Sequence, residues 1–186
     1  AVLRHARHGG DEALTAALCE ITHWVGETDF AAVFESLAAS RGRLARLIAT
    51  HDGPAGFSAA IHRELGVDEG ETDDDITAAA CAEGTFDAAD LRAACRVLAG
   101  GSKTDIERGA TIADWLADAE ARAAAFDHYA HGFLTDQGHP RKTLITQPAA
   151  EAVAETLPQV KDILEREAAR LVAVNARRSA LVVARA

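Results

Sequence analysis

Apolar residues recur along this chain at three- and four-residue intervals almost from end to end, the spacing of one buried helical face. Leu14, Leu18, Ile21 and Val25 share such a face and predict a helix over 11–25 capped by Asp11. Thr28 can cap a longer second helix, whose stripe runs through Phe30, Val33, Phe34, Leu37, Leu44, Leu47 and Ile48. Gly42 lies inside it at a cost of about 1 kcal/mol relative to Ala, and marks a place for a kink. His51-Asp52-Gly53-Pro54 ends that element, and a third helix follows to Leu65, closed by Gly66. Thr72 and Asp75 form a capping box for a fourth helix ending at Gly84. Asp87 and Asp90 open a fifth that buries Leu91, Cys95 and Leu98 before Gly100-Gly101 stops it. Ser102 and Asp105 cap a sixth, with Ile106, Ile112, Trp115 and Leu116 facing inward, and a seventh covers 119–131. Pro148 opens a short helix, and Pro158 occupies the first turn of a long final one running through Leu164, Leu171 and Val174 towards Val183. The expected fold is all-α: an irregular bundle of about eight or nine helices.

One stretch, 132–147, breaks the helical pattern. Phe133, Leu134, Leu144 and Ile145 can anchor its two arms, and Asp136-Gln137-Gly138-His139-Pro140 between them is dense in turn formers. The expectation is a short hairpin or ordered loop that holds Arg141 and Lys142 towards solvent, with a trace of strand around 144–146. The plainer account of the same residues is a surface turn with a solvated charge pair.

A length of 186 residues suits one helical domain over 1–186, with sub-lobes expected at 1–66 and 67–186. Aromatics make up 5% of the chain while Ala is abundant, so helices must approach through small side chains. The absence of Met, even at position 1, reads as a fragment or processed product. No apolar run reaches the roughly 18 residues that span a bilayer, and no signal-peptide pattern opens the chain, so no membrane partner is expected. Cys19, Cys81 and Cys95 are odd in number and form no CxxC pair, which points to buried free thiols in a reducing cytoplasm.

The net charge of −10 argues against a generic nucleic-acid coat, but it is unevenly spread. From Gly132 onward eight Lys/Arg stand against six Asp/Glu, whereas the preceding residues hold 11 basic and 23 acidic groups. Any contact with phosphate therefore belongs to the C-terminal third, around Arg141 and Lys142.

Sites for chemistry are scarce. The six acids between Val67 and Asp75 lack the ligand spacing of a calcium loop and fit better as dipole partners of the following helix. Gly100-Gly101-Ser102-Lys103-Thr104 lacks the glycine a phosphate loop needs before its lysine and follows a helix rather than a strand. Exposed N–H groups beside Lys103 could still hold one backbone phosphate. His5/His8 and His128/His131 each share a helix face, yet no third ligand completes a zinc set. There is no nucleophile elbow and no distinct carboxylate pair, so the chain does not read as a complete enzyme.

Gly101-Ser102-Lys103-Thr104-Asp105, Arg108-Gly109, Trp115-Leu116, then Phe133-Leu134-Thr135 with Gly138, Pro140-Arg141-Lys142 and Leu144 follow one another in an order that resembles the AddA-type double-strand-break repair helicases. Phe30, Phe34 and Arg41-Gly42-Arg43-Leu44 are similar to the same family, and the resemblance extends from about Leu14 to Leu171. Such proteins are UvrD/Rep-like superfamily 1 helicases with a C-terminal nuclease, and the matching region is their helical 1B insertion. The resemblance implies an accessory domain that packs on the helicase motor domains and contacts double-stranded or forked DNA during recombination and repair. ATP and Mg would belong to the parent motor. This chain lacks the Walker lysine motif, the Asp-Glu box and the nuclease motifs, so no cofactor is expected in it. Arg141 and Lys142, then Lys103 and Arg108, are the expected DNA-phosphate contacts, chosen by charge and motif position. The alternative is a module that docks the motor or an AddB-type subunit with no DNA contact. A stand-alone helical regulator is a third reading.

Overall fold

The computed structural model describes residues 27–152 and 156–185. The helix expected over 11–25, Cys19 and the His5/His8 pair lie outside the described residues. The fold is all-α, with eight helices and no strand among the described residues. These are α1 (Glu27–Thr50), α2 (Pro54–Leu65), α3 (Asp73–Cys81), α4 (Ala88–Leu98), α5 (Lys103–Ala117), α6 (Phe126–His131), α7 (Gln147–Ala152) and α8 (Leu157–Arg185). The chain divides into two compact units, one reaching to Leu65 and including 182–186, the other spanning Gly66–Leu181.

In the first unit, α1 runs unbroken through Gly42, where no break occurs. A tight turn then delivers the chain into α2: Gly53 N–H donates to the Ile48 carbonyl at 2.9 Å, with Asp52 and Gly53 both at positive φ. His62 is buried on α2, and its Nδ1–H donates to the Ser58 carbonyl at 3.0 Å.

The second unit holds the core. Leu91, Ala94, Leu98, Ile112, Leu116, Phe126, Phe133, Leu134, Leu164, Ala168 and Leu171 are buried in one cluster. Helices α4 and α5 lie against each other, and Gly109 lets them approach: a Cβ there would stand 3.2 Å from the Leu98 Cβ. An aromatic series runs through it, with Phe86 tilted on Trp115, Trp115 stacked on Tyr129 at 4.0 Å between centroids, and Tyr129 tilted on Phe133.

Helix ends follow local chemistry. The Thr72/Asp75 box is formed, with Thr72 N–H donating to Asp75 at 2.9 Å and Asp75 N–H donating back to the Thr72 hydroxyl at 3.1 Å. Asp87 caps α4 through the N–H groups of Ala89 and Asp90. Three expectations are corrected here. The fourth predicted helix stops at Cys81 rather than Gly84, because the Thr85 hydroxyl takes the carbonyls of Ala80 and Ala82, and Gly84 (φ 88°) lies in the turn beyond. The seventh begins at Phe126, since Asp118 accepts from the N–H groups of Glu120 and Ala121 and holds 119–125 as turns. Ile106 faces out at 49% exposure; the buried stripe of α5 is Asp105, Arg108, Gly109, Ile112, Trp115 and Leu116, one residue out of phase with it. Cys81 is buried and Cys95 half-buried, and both are free thiols.

Leu164→Ala should cost about 2–5 kcal/mol in urea unfolding, because that side chain is fully buried in the cluster. Ile106→Ala should stay within about 0.5 kcal/mol of wild type, and a larger loss would mean the phase of α5 is wrong.

Candidate nucleic-acid interface

The stretch 132–147 folds as a hairpin-like loop closed by a single antiparallel bridge, Leu134 to Pro140. Its two ladder bonds come from the flanking residues: Arg141 N–H donates to the Phe133 carbonyl and Thr135 N–H to the His139 carbonyl, both at 2.8 Å. Leu134 and Pro140 thus form the pair that exchanges no hydrogen bonds, the place where proline loses nothing by lacking an N–H. Gly138 N–H closes the turn on the Thr135 carbonyl at 2.8 Å, and its φ of 74° is why glycine stands there. Phe133, Leu134 and Leu144 are buried, so both arms are tied into the core. The arm at 144–146 is not a strand: the Leu144 carbonyl accepts from Arg108 and the Thr146 carbonyl from Ala150 N–H.

Arg108 joins the two arms of the loop. That side chain is 8% exposed; its Nε–H donates to the Gly132 carbonyl at 2.9 Å, and its terminal nitrogens donate to the carbonyls of Leu144 and Thr143. One guanidinium therefore bridges the two arms of the loop at their base. Asp105, one helical turn earlier, is fully buried and stands 3.9 Å from Arg108. Its carboxylate accepts from Ser102 N–H and from the Ser102 hydroxyl at 2.9 Å, from Thr146 N–H at 3.0 Å, and from the Thr146 hydroxyl. Burial pushes the Asp105 carboxyl up, but the hydrogen bonds from Thr146 and Ser102 together outweigh it and hold it below the usual carboxylate range. Burial also lowers Arg108 from the ordinary arginine value, against the opposing pull of Asp105.

The four expected phosphate contacts are in four different situations. Lys142 is exposed and makes no ion pair among the described residues. Arg141 is half-buried; its Nε–H donates to the His131 carbonyl at 3.0 Å and Nη2–H to His131 Nε2 at 3.1 Å. Lys103 stands in solvent at the start of α5 with Glu107 at 3.7 Å, an exposed pair of little energetic weight. Arg108 supports the loop from beneath and directs its donors inward. The free N–H groups expected beside Lys103 are partly taken, because Asp105 fills the helix start with its own carboxylate.

Five further cations of the C-terminal third face acids. Arg166 pairs with Asp90 at 2.7 Å, Arg170 with Glu167 at 2.6 Å, Arg177 with Glu71 at 2.7 Å, and Lys161 with Glu165 at 3.6 Å. Arg178 spans Asp73 and Asp127 at 2.7 and 2.6 Å, which raises its own pKa and lowers that of Asp73. The acidic segment around residue 70 is thus bound to α8 by arginine. His128 and His131 gather no third ligand, and no group of metal-binding side chains occurs among the described residues. No helix among them is long and apolar enough to cross a membrane. Comparison with protein-family models, with curated proteins and with solved structures found no match for this chain.

Replacing Asp105 by Asn turns an amide N–H₂ towards donors, and should cost about 1–3 kcal/mol in denaturant unfolding at neutral pH. The folded carboxyl is depressed, so its contribution is present above the unfolded value, about 3.9, and is lost as pH falls through the folded one. The gap between wild type and Asp105→Asn should therefore narrow below about pH 4. A gap constant from neutral pH to strong acid would show that the carboxylate charge contributes nothing.

Proposed function

We propose that this chain is an accessory, 1B-like helical domain of an ATP-dependent DNA helicase/nuclease of double-strand-break repair. It presents the 132–147 hairpin to the phosphate backbone of double-stranded or forked DNA and packs on the motor of its parent. The observation that carries the reading is the state of the basic residues. Within the C-terminal third, Lys161, Arg166, Arg170, Arg177 and Arg178 face carboxylates, whereas Arg141 and Lys142 face none among the described residues and sit on a loop anchored by buried groups. A rigid loop loses little entropy on meeting a phosphate, and contacts of this kind position a duplex without reading its bases. ATP and Mg are used by the parent motor in this reading, and this chain carries neither ATPase nor nuclease chemistry.

A second reading is a docking module for the motor or an AddB-type subunit without DNA contact. Leu37 and Leu47 on α1, 44% and 40% exposed, favour it, as does the excess of acid that repels a duplex.

Fluorescence anisotropy with forked DNA separates the two. In the phosphate reading, binding is weak and salt-sensitive, and Arg141→Ala/Lys142→Ala flattens the plot of log K against log salt by about 1–2 units, roughly 0.9 for each lost phosphate contact. Absence of binding even at about 20 mM salt, where screening is weakest, would overturn it in favour of docking.

A further inference from the structure

We propose that His131 is a pH-operated latch on Arg141, closed when the imidazole is neutral and released when it is protonated. The inference rests on the phosphate reading of the hairpin and adds its regulation.

Arg141 holds two acceptors on one residue: its Nε–H meets the His131 carbonyl at 3.0 Å and its Nη2–H meets His131 Nε2 at 3.1 Å. A guanidinium carries donors only, so Nε2 must offer its lone pair. The ring proton then resides on Nδ1, which points at Asp136 Oδ1, 3.5 Å away. One imidazole is thereby fixed in a single tautomer by an arginine on one side and a carboxylate on the other. This arrangement exists only while the ring is neutral. Protonation places an N–H at Nε2 against the Nη2–H of Arg141, replacing an acceptor by a donor and setting two cations about 3 Å apart.

The charged surroundings favour release over accommodation. Asp136 faces the ring from the turn, 3.5 Å from Nδ1, while Arg108 on α5 adds positive charge beneath, donating to the carbonyl of the neighbouring Gly132. Arg108 and Arg141 already repel each other. On α6 itself, Asp127 is taken by Arg178, and His128 lies one turn back. Lys142 follows Arg141 directly and makes no ion pair among the described residues. Releasing Arg141 to solvent relieves the crowding at the cost of one surface hydrogen bond. The hairpin then carries Arg141, Lys142 and an imidazolium, all available to phosphate.

The test uses the 186-residue chain. Side-chain 15N NMR follows the His131 nitrogens and the Arg141 Nε–H, assigned by its loss in Arg141→Lys, with exchange measured relative to exposed Arg92. At pH 8 the His131 spectrum should show a single tautomer protonated at Nδ1, and Arg141 exchange should be slowed about fivefold, the worth of one surface hydrogen bond. At pH 5.5 that protection should vanish. His131→Ala keeps the main-chain carbonyl that Arg141 Nε–H meets but removes the imidazole, so its protection should be the same at both pH values, as should that of His131→Gln, which offers a neutral acceptor. Equal Arg141 protection at pH 8 and 5.5 in the wild type, or a pH dependence of that protection that persists in His131→Ala, overturns the latch. Forked DNA at low salt is the second arm: wild type should bind about threefold tighter at pH 5.5 than at pH 8, and His131→Gln should lose most of that difference. Release of Arg141 by NMR with no change in DNA affinity would leave the latch standing and defeat the phosphate reading.

Discussion

Everything around the hairpin depends on a single requirement: the fully buried carboxylate of Asp105 must find enough donors. An ionised carboxylate without partners inside a protein costs far more than one packed helix returns. Asp105 meets the requirement by closing the capping box of its own helix and, with its remaining capacity, by taking the N–H and hydroxyl of Thr146. That second half pins the far arm of the loop to the start of α5. Arg108, one turn along the same face, repeats the device with opposite polarity by donating to the carbonyls of Gly132, Thr143 and Leu144. A loop with a single bridge has almost no backbone ladder of its own. Acid and base from α5 supply the partners that a second strand would otherwise provide.

The same economy recurs deeper in the unit. Arg122 is 4% exposed, and it donates to the carbonyls of Trp115 and Leu116 while Trp115 Nε1–H donates back to its own carbonyl at 3.0 Å. Its guanidinium lies 5.1 Å from the Phe86 centroid and 5.5 Å from that of Trp115, where ring faces attract a cation. Tyr129 stacks on that Trp and donates to Glu167 at 2.7 Å, and Glu167 is held by Arg170, which also donates to the Ala80 carbonyl. In a chain with so few aromatics, arginine works as a large planar filler whose donors satisfy the irregular backbone between short helices. This explains how helices of six to eleven residues, such as α6 and α4, remain in place without long interfaces of their own.

Helix identity and capping were legible in the sequence because they depend on near neighbours. Ser102/Asp105, Thr72/Asp75, Asp87 and Gly66 all do what their local chemistry requires. In α5, Ile112, Trp115 and Leu116 are buried as their spacing predicts, but the first turn was not legible. An apolar Ile106 invites an inward assignment, yet the buried face starts on Asp105 and Arg108, two residues that hydrophobic periodicity counts as surface. Their burial follows from Thr146, Thr143 and Leu144, some 35 to 41 positions away, and no local pattern announces partners at that separation. The loop itself was visible from its turn formers and flanking apolar pairs. The direction of Arg141 was not, since it depends on the acceptor that His131 happens to offer.

That last contact bears on how an acidic chain could approach a polyanion at all. With a net charge of −10, long-range attraction cannot bring the domain to DNA, so any contact must be local and geometrically prepared. Ion pairing prepares it by subtraction: arginines of α8 are turned onto the acids near residue 70 and onto Asp90, which mutually cancel. In the C-terminal third this sets apart a small basic tip, Arg141 and Lys142, on a braced hairpin, in a chain whose net charge is acidic. On the proposed function such a tip serves as a probe rather than an anchor, touching a backbone brought to it by something larger without holding on once the strand moves. On the proposed function, weak intrinsic affinity is what such a domain requires, and tighter binding by the isolated chain would work against that role.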